Sequence, residues 1–379
     1  MISAQHLAVA AAPAVADRFV AASSWEHAGR EWSSGEQATL TCVRVIAETH
    51  DVTTFVFIPP AGAPLSYEPG QFLTLALNIN GQPISRCYTI SSAPTRPFTL
   101  SITVKRVPGG AVSNWLHDTL QPGMSLQAYG PAGMFTPTQH PARKLLYLSA
   151  GSGVTPLMSM ARASADLGLE RDIVFLHSAR SPADIIFRDE LQALARLSAA
   201  FRFLPLCDSA GDEAGWHGQV GRISLALLQQ AVPDFREREV FVCGPAGYMQ
   251  AVRDMLQHGG HDPAHYHQES FDFASVTAAC AAAPAATGTA PAQRYSVQLL
   301  RSGKTFSMDG AQTVLLAAKK AGVVVPSSCN SGMCGTCKTR LLAGTVAMQH
   351  NGGIRPREID NGLRLLCCSR PTSDLVLDL

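Results

Sequence analysis

The placement of a few cysteines constrains this chain more than any other feature. Cys329, Cys334 and Cys337 follow the pattern C-x4-C-x2-C, and Cys367 stands well downstream beside Cys368. Three thiolates on one loop and a fourth from a distant segment have the ligand spacing of a [2Fe–2S] cluster. Two other readings compete. Structural zinc sites place cysteines in pairs that recur, whereas here a triple precedes a lone distant ligand. Disulfide frameworks belong to small secreted chains, and this chain has 379 residues with 10 cysteines. Gly332 and Gly335 lie within the triple, where they let backbone N–H groups turn toward sulfur. Cys42, Cys87, Cys207 and Cys280 read as small apolar residues. A two-iron cluster passes one electron at a time, so the rest of the chain is expected to feed or drain electrons.

The length exceeds what a single core fills, and two or three domains are expected. A net charge of +1 argues against nucleic-acid binding and against a polybasic membrane anchor. No apolar run reaches the roughly 18 residues of a membrane span. The first residues lack a basic stretch and include Pro13 and Asp17, so no signal peptide and a cytoplasmic location are expected.

The grammar of the chain changes several times. Residues 1–37 lack periodicity and read as an extension, with Trp25 and Trp32 available to dock on the first domain. Over 38–140 the pattern has period two: Phe98, Leu100, Ile102 and Val104 alternate with Thr99, Ser101, Thr103 and Lys105, as Leu73, Leu75, Leu77 and Ile79 alternate with their neighbours. That predicts an antiparallel sheet or β-barrel with one buried face. Over 141–273, apolar runs at Leu145–Leu148, Ile173–Leu176, Phe201–Leu206 and Val240–Val242 alternate with helical patterns at 155–168, 184–198, 223–232 and 246–258. That predicts a parallel, doubly wound α/β sheet. Residues 274–293 are almost pure Ala, Thr and Pro, the composition of a linker that lets the last domain move. Residues 294–379 combine a strand at Tyr295–Leu299, a helix at Thr313–Ala321 stopped by Gly322, the cysteine loop and a closing strand at Leu375–Leu379, an α+β unit.

The middle segments carry a second chemistry. Arg86 can clamp a pyrophosphate through two parallel hydrogen bonds. Tyr88 lies on the same face of an extended strand, where its ring could stack on a flat heterocycle while the Thr89 hydroxyl bonds the ring edge. Alone, the motif describes an exposed Arg beside a half-buried Tyr equally well. Gly109-Gly110-Ala111-Val112-Ser113 is a Gly-rich turn into a helix, with Ser113 at or near its N-cap. Free N–H groups at such a start bind phosphate. Gly151-Ser152-Gly153-Val154-Thr155-Pro156 follows the first apolar strand and opens a helix, the context of a nucleotide-binding turn. Cys243-Gly244-Pro245 follows the last apolar strand, so both motifs should sit at the carboxyl ends of parallel strands, where such sheets bind ligands. The histidines of His258–His267 read as a solvated turn, and no zinc-site spacing is present among the 12.

R-x-Y-T, G-G-x-V-S, G-x-G-x-T-P and C-G-P in this order resemble the ferredoxin–NADP reductase superfamily. The C-terminal cysteine pattern narrows the resemblance to NAD(P)H-dependent flavin reductases fused to a plant-type [2Fe–2S] ferredoxin. It covers about 38–273 and 294–379. It implies an FAD-binding β-barrel, an NAD(P)-binding α/β domain and a β-grasp ferredoxin domain. Arg86, Tyr88 and Thr89 would then hold the flavin, with Gly110, Val112 and Ser113 at its pyrophosphate. Gly151, Gly153, Thr155, Pro156, Cys243, Gly244 and Pro245 would hold the nucleotide, with Thr155 and Cys243 bordering the nicotinamide. Glu269-Ser270-Phe271 is similar to the E-x-F of related reductases, and Phe271 would cover the flavin until nicotinamide displaces it. Leu-Leu-Cys367-Cys368-Ser-Arg-Pro371 resembles the plant ferredoxin segment that ends in the fourth ligand, which selects Cys367 over Cys368. Gly130-Pro131-Ala132-Gly133-Met134-Phe135 is similar to the FAD-binding relatives and favours FAD over the FMN of the phthalate dioxygenase reductase group. Asn330 stands where plant ferredoxins commonly carry Arg.

The implied activity is oxidoreduction, with hydride passing from NADH, or NADPH, to FAD and single electrons leaving through the cluster to a partner protein. The resemblance makes a Rieske-type oxygenase the expected partner, of the betaine-demethylating kind, and hybrid-cluster protein the second. The opposing reading is a redox-sensing module without turnover. Loss of Arg86, Gly151, Gly153 or Cys243 would mark it, and all are present. Arg180, after the second strand of the nucleotide domain, could meet a 2′-phosphate or be a surface residue.

Overall fold

The computed structural model describes residues 30–31, 37–59, 65–271, 293–323, 325, 332, 335, 337–350, 354 and 356–379. Of the N-terminal extension, Arg30–Glu31 pairs in parallel with Leu65–Ser66. Trp25, Trp32, Cys280 and the linker through residue 292 lie outside the described residues.

The first unit is built from β1 (Gln37–Thr49), β2 (Val52–Ile58), β3 (Phe72–Ile79), β4 (Gln82–Thr89), β5 (Leu100–Lys105) and β6 (Ser125–Ala132), in the order β4-β3-β6-β1-β2-β5. Every pairing is antiparallel. The two outer strands meet where Ile90 bridges Ile102 and the Ser91 N–H donates to the Ser101 carbonyl at 2.8 Å. The sheet thereby closes into the expected barrel, around a core that includes Phe55, Phe57, Leu73, Leu75, Leu100 and Ile102.

The alternation along β5 departs from the sequence expectation in two ways. Phe98 precedes the strand and is 63% exposed. Ser101 and Thr103, expected on a solvent face, are buried. The Thr103 hydroxyl is satisfied within the barrel, where its Oγ1 bonds Thr54 Oγ1 at 2.7 Å and Ser91 Oγ at 2.9 Å. Polar residues tolerate burial when they pair in this way. Helix α1 (Ala111–Thr119) has Gly110 as its N-cap, with no side-chain cap. Ser113 is therefore not the cap but lies in the first turn, where its Oγ accepts from the Val107 N–H at 3.1 Å.

The second unit holds β7 (Lys144–Ala150), α2 (Val154–Asp166), β8 (Asp172–Ala179), α3 (Arg188–Leu197), β9 (Phe201–Cys207), β10 (Gln219–Val220), α4 (Leu225–Ala231), β11 (Glu239–Cys243), α5 (Ala246–His258) and β12 (Tyr266–Glu269). The strand order is β10-β9-β8-β7-β11-β12 and all pairs are parallel. The chain steps outward from β7 through β8 and β9, then returns to the other side of β7 as β11. That reversal opens a crevice at the carboxyl ends of β7 and β11. The helix expected from residue 184 begins instead at Arg188, because Ser181 and Asp184 close a separate capped turn over Pro182–Asp184 and Phe187 adopts a φ of 58°.

The two units are docked. Arg96 donates to both Asp166 carboxylate oxygens at 2.9 and 2.8 Å, and Ser159 and Arg162 of α2 donate to the Ser92 and Ser91 carbonyls at 2.6 Å.

The third unit has β13 (Arg294–Leu299), β14 (Thr305–Asp309), α6 (Val314–Lys320), β15 (Lys338–Ala343), β16 (Leu363–Leu365) and β17 (Leu375–Leu377), ordered β14-β13-β17-β15-β16. Thr313 caps α6 through its hydroxyl, and the buried face of the helix joins Val297, Leu299 and Leu377 in one core. A mixed sheet grasping α6 is the arrangement expected for this segment.

Candidate functional site

Two cavities adjoin at the crevice. The first, of about 310 Å³, lies between barrel and α/β sheet. Its barrel wall is Arg86, Tyr88 and Thr89 at the end of β4, and its floor is Gly110, Val112 and Ser113 at the start of α1. Thr155 and Phe271 close it from the α/β side. The second, of about 530 Å³, sits over the carboxyl ends of β7, β8 and β11, with Gly151, Arg180, Pro245 and Tyr248 in its wall. Lys105 and Ser152 line both cavities. Residues from five separate sequence motifs are thus brought to one continuous groove.

Gly153, Pro156, Cys243, Gly244 and Glu269 stand behind the wall rather than in it. Gly153 has a steric role: a Cβ there would lie 2.2 Å from the Cys243 carbonyl oxygen and 2.6 Å from the Gly244 nitrogen. The turn after β7 and the turn after β11 can touch only because this residue has no side chain. Pro156 is buried in the first turn of α2, where its missing N–H costs nothing. The Thr155 hydroxyl donates to the Ser152 carbonyl at 3.0 Å and fixes that turn.

Register aligns Cys243 on β11 with Glu269 on β12. Cys243 is fully buried, and burial pushes its thiol well above the ordinary range, with the Glu269 charge adding to the effect. Burial also raises the Glu269 carboxyl to about 8, against a small lowering by the Thr89 hydroxyl. Thr89 Oγ1 and Glu269 Oε2 are both buried close enough to influence each other, yet neither makes a hydrogen bond of good geometry among the described residues. Unsatisfied polar atoms beside the cavity fit a place where a ligand completes the hydrogen bonding. Burial also raises the Tyr88 phenol, leaving its ring as an apolar plate against the cavity.

In the second cavity, Arg180 donates to Asp184 at 2.8 Å and to Asp51 of the barrel at 3.3 Å. Asp51 also pairs with Lys105 at 3.0 Å. Arg180 is therefore a cavity residue, with two carboxylates already engaging it. Arg222 and Asp208, 3.6 Å apart, complete the charges of that wall. Sequence reasoning did not single out Lys105, Asp51, Asp208, Arg222 or Tyr248. Lys105 read as one more outward residue of β5, and its position just before the Gly109-Gly110 turn was the available signal.

In the third unit, Cys337 and Cys367 are buried neighbours: the Cys367 N–H donates to Cys337 Sγ at 3.4 Å. The Gly332 N–H donates to Cys367 Sγ at 3.3 Å, whereas Cys368 is half-buried and its S–H donates to the Leu365 carbonyl at 3.6 Å. Cys329 and Cys334 lie outside the described residues. Two buried sulfurs receiving backbone N–H groups fit thiolate ligands of an iron–sulfur cluster.

Comparison with known proteins agrees with this geometry. Residues 39–136 match the oxidoreductase FAD-binding domain family, 147–254 the oxidoreductase NAD-binding domain family and 297–372 the 2Fe-2S iron-sulfur cluster binding domain family. The glycine betaine monooxygenase reductase subunit of Pseudomonas aeruginosa is 44% identical over 92% of this chain and 96% of its own length. This chain belongs to the ferredoxin–NADP reductase superfamily, in the branch fused to a [2Fe–2S] ferredoxin domain. The stachydrine N-demethylase reductase subunit of Rhizobium meliloti is 41% identical to this reductase over 90% of this chain and 95% of its own. Among solved structures, phthalate dioxygenase reductase aligns with a TM-score of 0.54 at 29% identity, covering 90% of this chain and 97% of that one. The reductase is an oxidoreductase that uses FAD, a nicotinamide nucleotide and a [2Fe–2S] cluster. Among the described residues no helix is long and apolar enough to cross a membrane.

Proposed function

We propose that this reductase supplies electrons from NADH to a Rieske-type oxygenase that removes a methyl group from a betaine-like N-methylated substrate. The observation that carries the reading is the continuous groove, with Lys105 and Ser152 common to both cavities. It is supported by the likeness to reductase subunits of glycine betaine monooxygenase and stachydrine N-demethylase along nearly the full chain. When bound, FAD takes a hydride from the nicotinamide and releases electrons singly to the cluster.

The protein's own groups position and protect these reactants. Arg86 and the start of α1 would hold the flavin phosphates, Tyr88 would stack on the ring, and Phe271 would exclude water until the nicotinamide arrives. Gly151, Gly153 and Pro245 shape the nucleotide turn, with Thr155 at the nicotinamide. Cys337 and Cys367 would hold the cluster, with Cys329 and Cys334 as the other two ligands expected from the sequence. Domains of 38–140, 141–273 and 294–379 suit this division of labour. A reducing cytoplasmic setting suits a cluster held by thiolates.

Removing the Arg86 guanidinium tests the flavin assignment. Arg86→Ala should purify with less than about half of the wild-type FAD content, since a charge-assisted clamp on phosphate is lost. Unchanged flavin occupancy would remove Arg86 from the binding set.

Glu269 stays protonated through neutrality when folded, while its ordinary value is 4.5. Folding therefore takes up a proton between pH 4.5 and about 8. The associated stability is fully present below that window and is lost as pH rises through about 8. Thermal melts should accordingly show a decline toward alkaline pH that Glu269→Gln flattens. The rate of NADH-driven flavin bleaching should lose an inflection near 8 in the same variant. An identical pH profile in the variant would place the proton elsewhere.

The partner is tested by reconstitution. Reductase, NADH and a purified betaine-demethylating oxygenase should release about one formaldehyde per NADH consumed, the stoichiometry of a monooxygenase using two electrons. NADH oxidation without coupled formaldehyde, while cytochrome c is still reduced, would reject this class of partner.

A further inference from the structure

Of the histidines between residues 258 and 267, His258 and His265 are exposed as a solvated turn would have them, but His261 and His267 are not. His261 is buried and bonds the Arg238 carbonyl at 3.0 Å. His265 and His267 both engage Glu239, and His140, from the segment between β6 and β7, stacks on His267 with ring centroids 3.7 Å apart. We propose that His140, Glu239 and His267 form a binding site for one divalent transition-metal ion of the zinc class, separate from the cysteine cluster.

Glu239 and His267 converge because their strands are in register, and His140 reaches them from the β6–β7 segment. Glu239 opens β11, and its successor but one, Phe241, pairs with His267 on β12. Glu239 Oε1 lies 2.5 Å from His267 Nε2 and 4.0 Å from His140 Nδ1. The three ligand atoms all fall within 4.8 Å of one another. Ligands bonded to zinc at tetrahedral angles stand roughly 3.3 Å apart. One observed separation is shorter and the other longer than that value: binding would open the Glu239–His267 hydrogen bond and turn the His140 ring off the His267 face, so that its edge meets the ion. Phe241 supports both rings from below, 4.9 Å from His267 and 6.2 Å from His140. His265 Nδ1 holds the second carboxylate oxygen at 2.8 Å, as an outer partner orients a ligating carboxylate.

Two imidazoles and one carboxylate select zinc, copper or nickel over magnesium or calcium. Occupancy would tie the root of β12 to the β6–β7 segment, and β12 leads on to Glu269 and Phe271. The site does not depend on the identity of the electron acceptor.

Calorimetric titration of the oxidised holoprotein with zinc chloride, in a non-chelating buffer, tests the site. The expected result is one Zn²⁺ per chain with micromolar affinity, weakened about tenfold or more by His140→Ala and by His267→Ala. His258→Ala, on the exposed end of α5 away from the cluster, should bind as the wild type does. His140→Asn, in a segment outside the sheet, guards against misfolding, and an intact flavin spectrum certifies each variant. No binding at micromolar zinc, or binding that survives loss of both histidines, overturns the proposal.

Discussion

Cys337→Ser should abolish electron delivery to one-electron acceptors while leaving nucleotide oxidation intact. The side chain is buried, and its sulfur receives the Cys367 N–H. An alkoxide oxygen is a harder and shorter ligand than a thiolate, so the cluster should be lost or depleted. NADH-dependent cytochrome c reduction is expected to fall on the order of 100-fold, with flavin bleaching by NADH near the wild-type rate. Cys368→Ser should retain the cluster, because that sulfur faces the Leu365 carbonyl. Unimpaired cytochrome c reduction in Cys337→Ser would take the cluster off the electron path. A cluster lost in Cys368→Ser and kept in the variant at Cys367 would exchange the fourth ligand.

The second large effect should come from one methyl group. In Gly153→Ala the new carbon would meet the Cys243 carbonyl oxygen at 2.2 Å and its carbonyl carbon at 2.4 Å. Both are backbone atoms, so no rotamer change relieves the clash, and α2 must shift away from β11. Thr155 and Ser152, which ride on that turn, would move with it. A stability loss of about 3 kcal/mol is expected from a clash of this kind. Displacement of the positioning groups should raise the KM for NADH by about tenfold or more. Denaturant melts and initial rates check the two effects separately. Gly247→Ala, in α5 where a new Cβ meets nothing within 4 Å among the described residues, is the stability control and should be neutral to slightly stabilising. Wild-type stability together with unchanged KM in Gly153→Ala would show that the two turns do not need their close approach.

These residues also show which parts of the molecule were legible in the sequence. The cysteine pattern was readable because ligand spacing is local. The strands β7, β8 and β11 were readable because parallel strands covered on both faces appear as continuous apolar runs. The helix from 184 was misplaced because Asp184 serves a capped turn and pairs with Arg180, a choice that hydrophobic periodicity does not record. Ser101 and Thr103 read as solvent-facing because alternation does not record that Thr103 pairs with Thr54 and Ser91 in a buried hydroxyl cluster. Lys105 gains its place at the junction of both cavities from the docking of the first two units. The contact between Cys243 and Glu269, and the convergence of His140 with His267, depend on strand register across long separations. No local motif encodes either. Glycines marked their positions in the sequence, but the reason for Gly153 emerged only from the backbone atoms that it admits.

Electron passage from nucleotide to flavin to cluster within one chain is the central claim. Anaerobic titration of the purified holoprotein with NADH, followed by visible absorption and low-temperature EPR, tests this directly. Bleaching of the flavin band together with the rhombic signal of a reduced [2Fe–2S] centre is the predicted result. Bleaching without that signal in cluster-replete protein would contradict the claim and leave a flavin reductase whose cysteine domain stands outside the path.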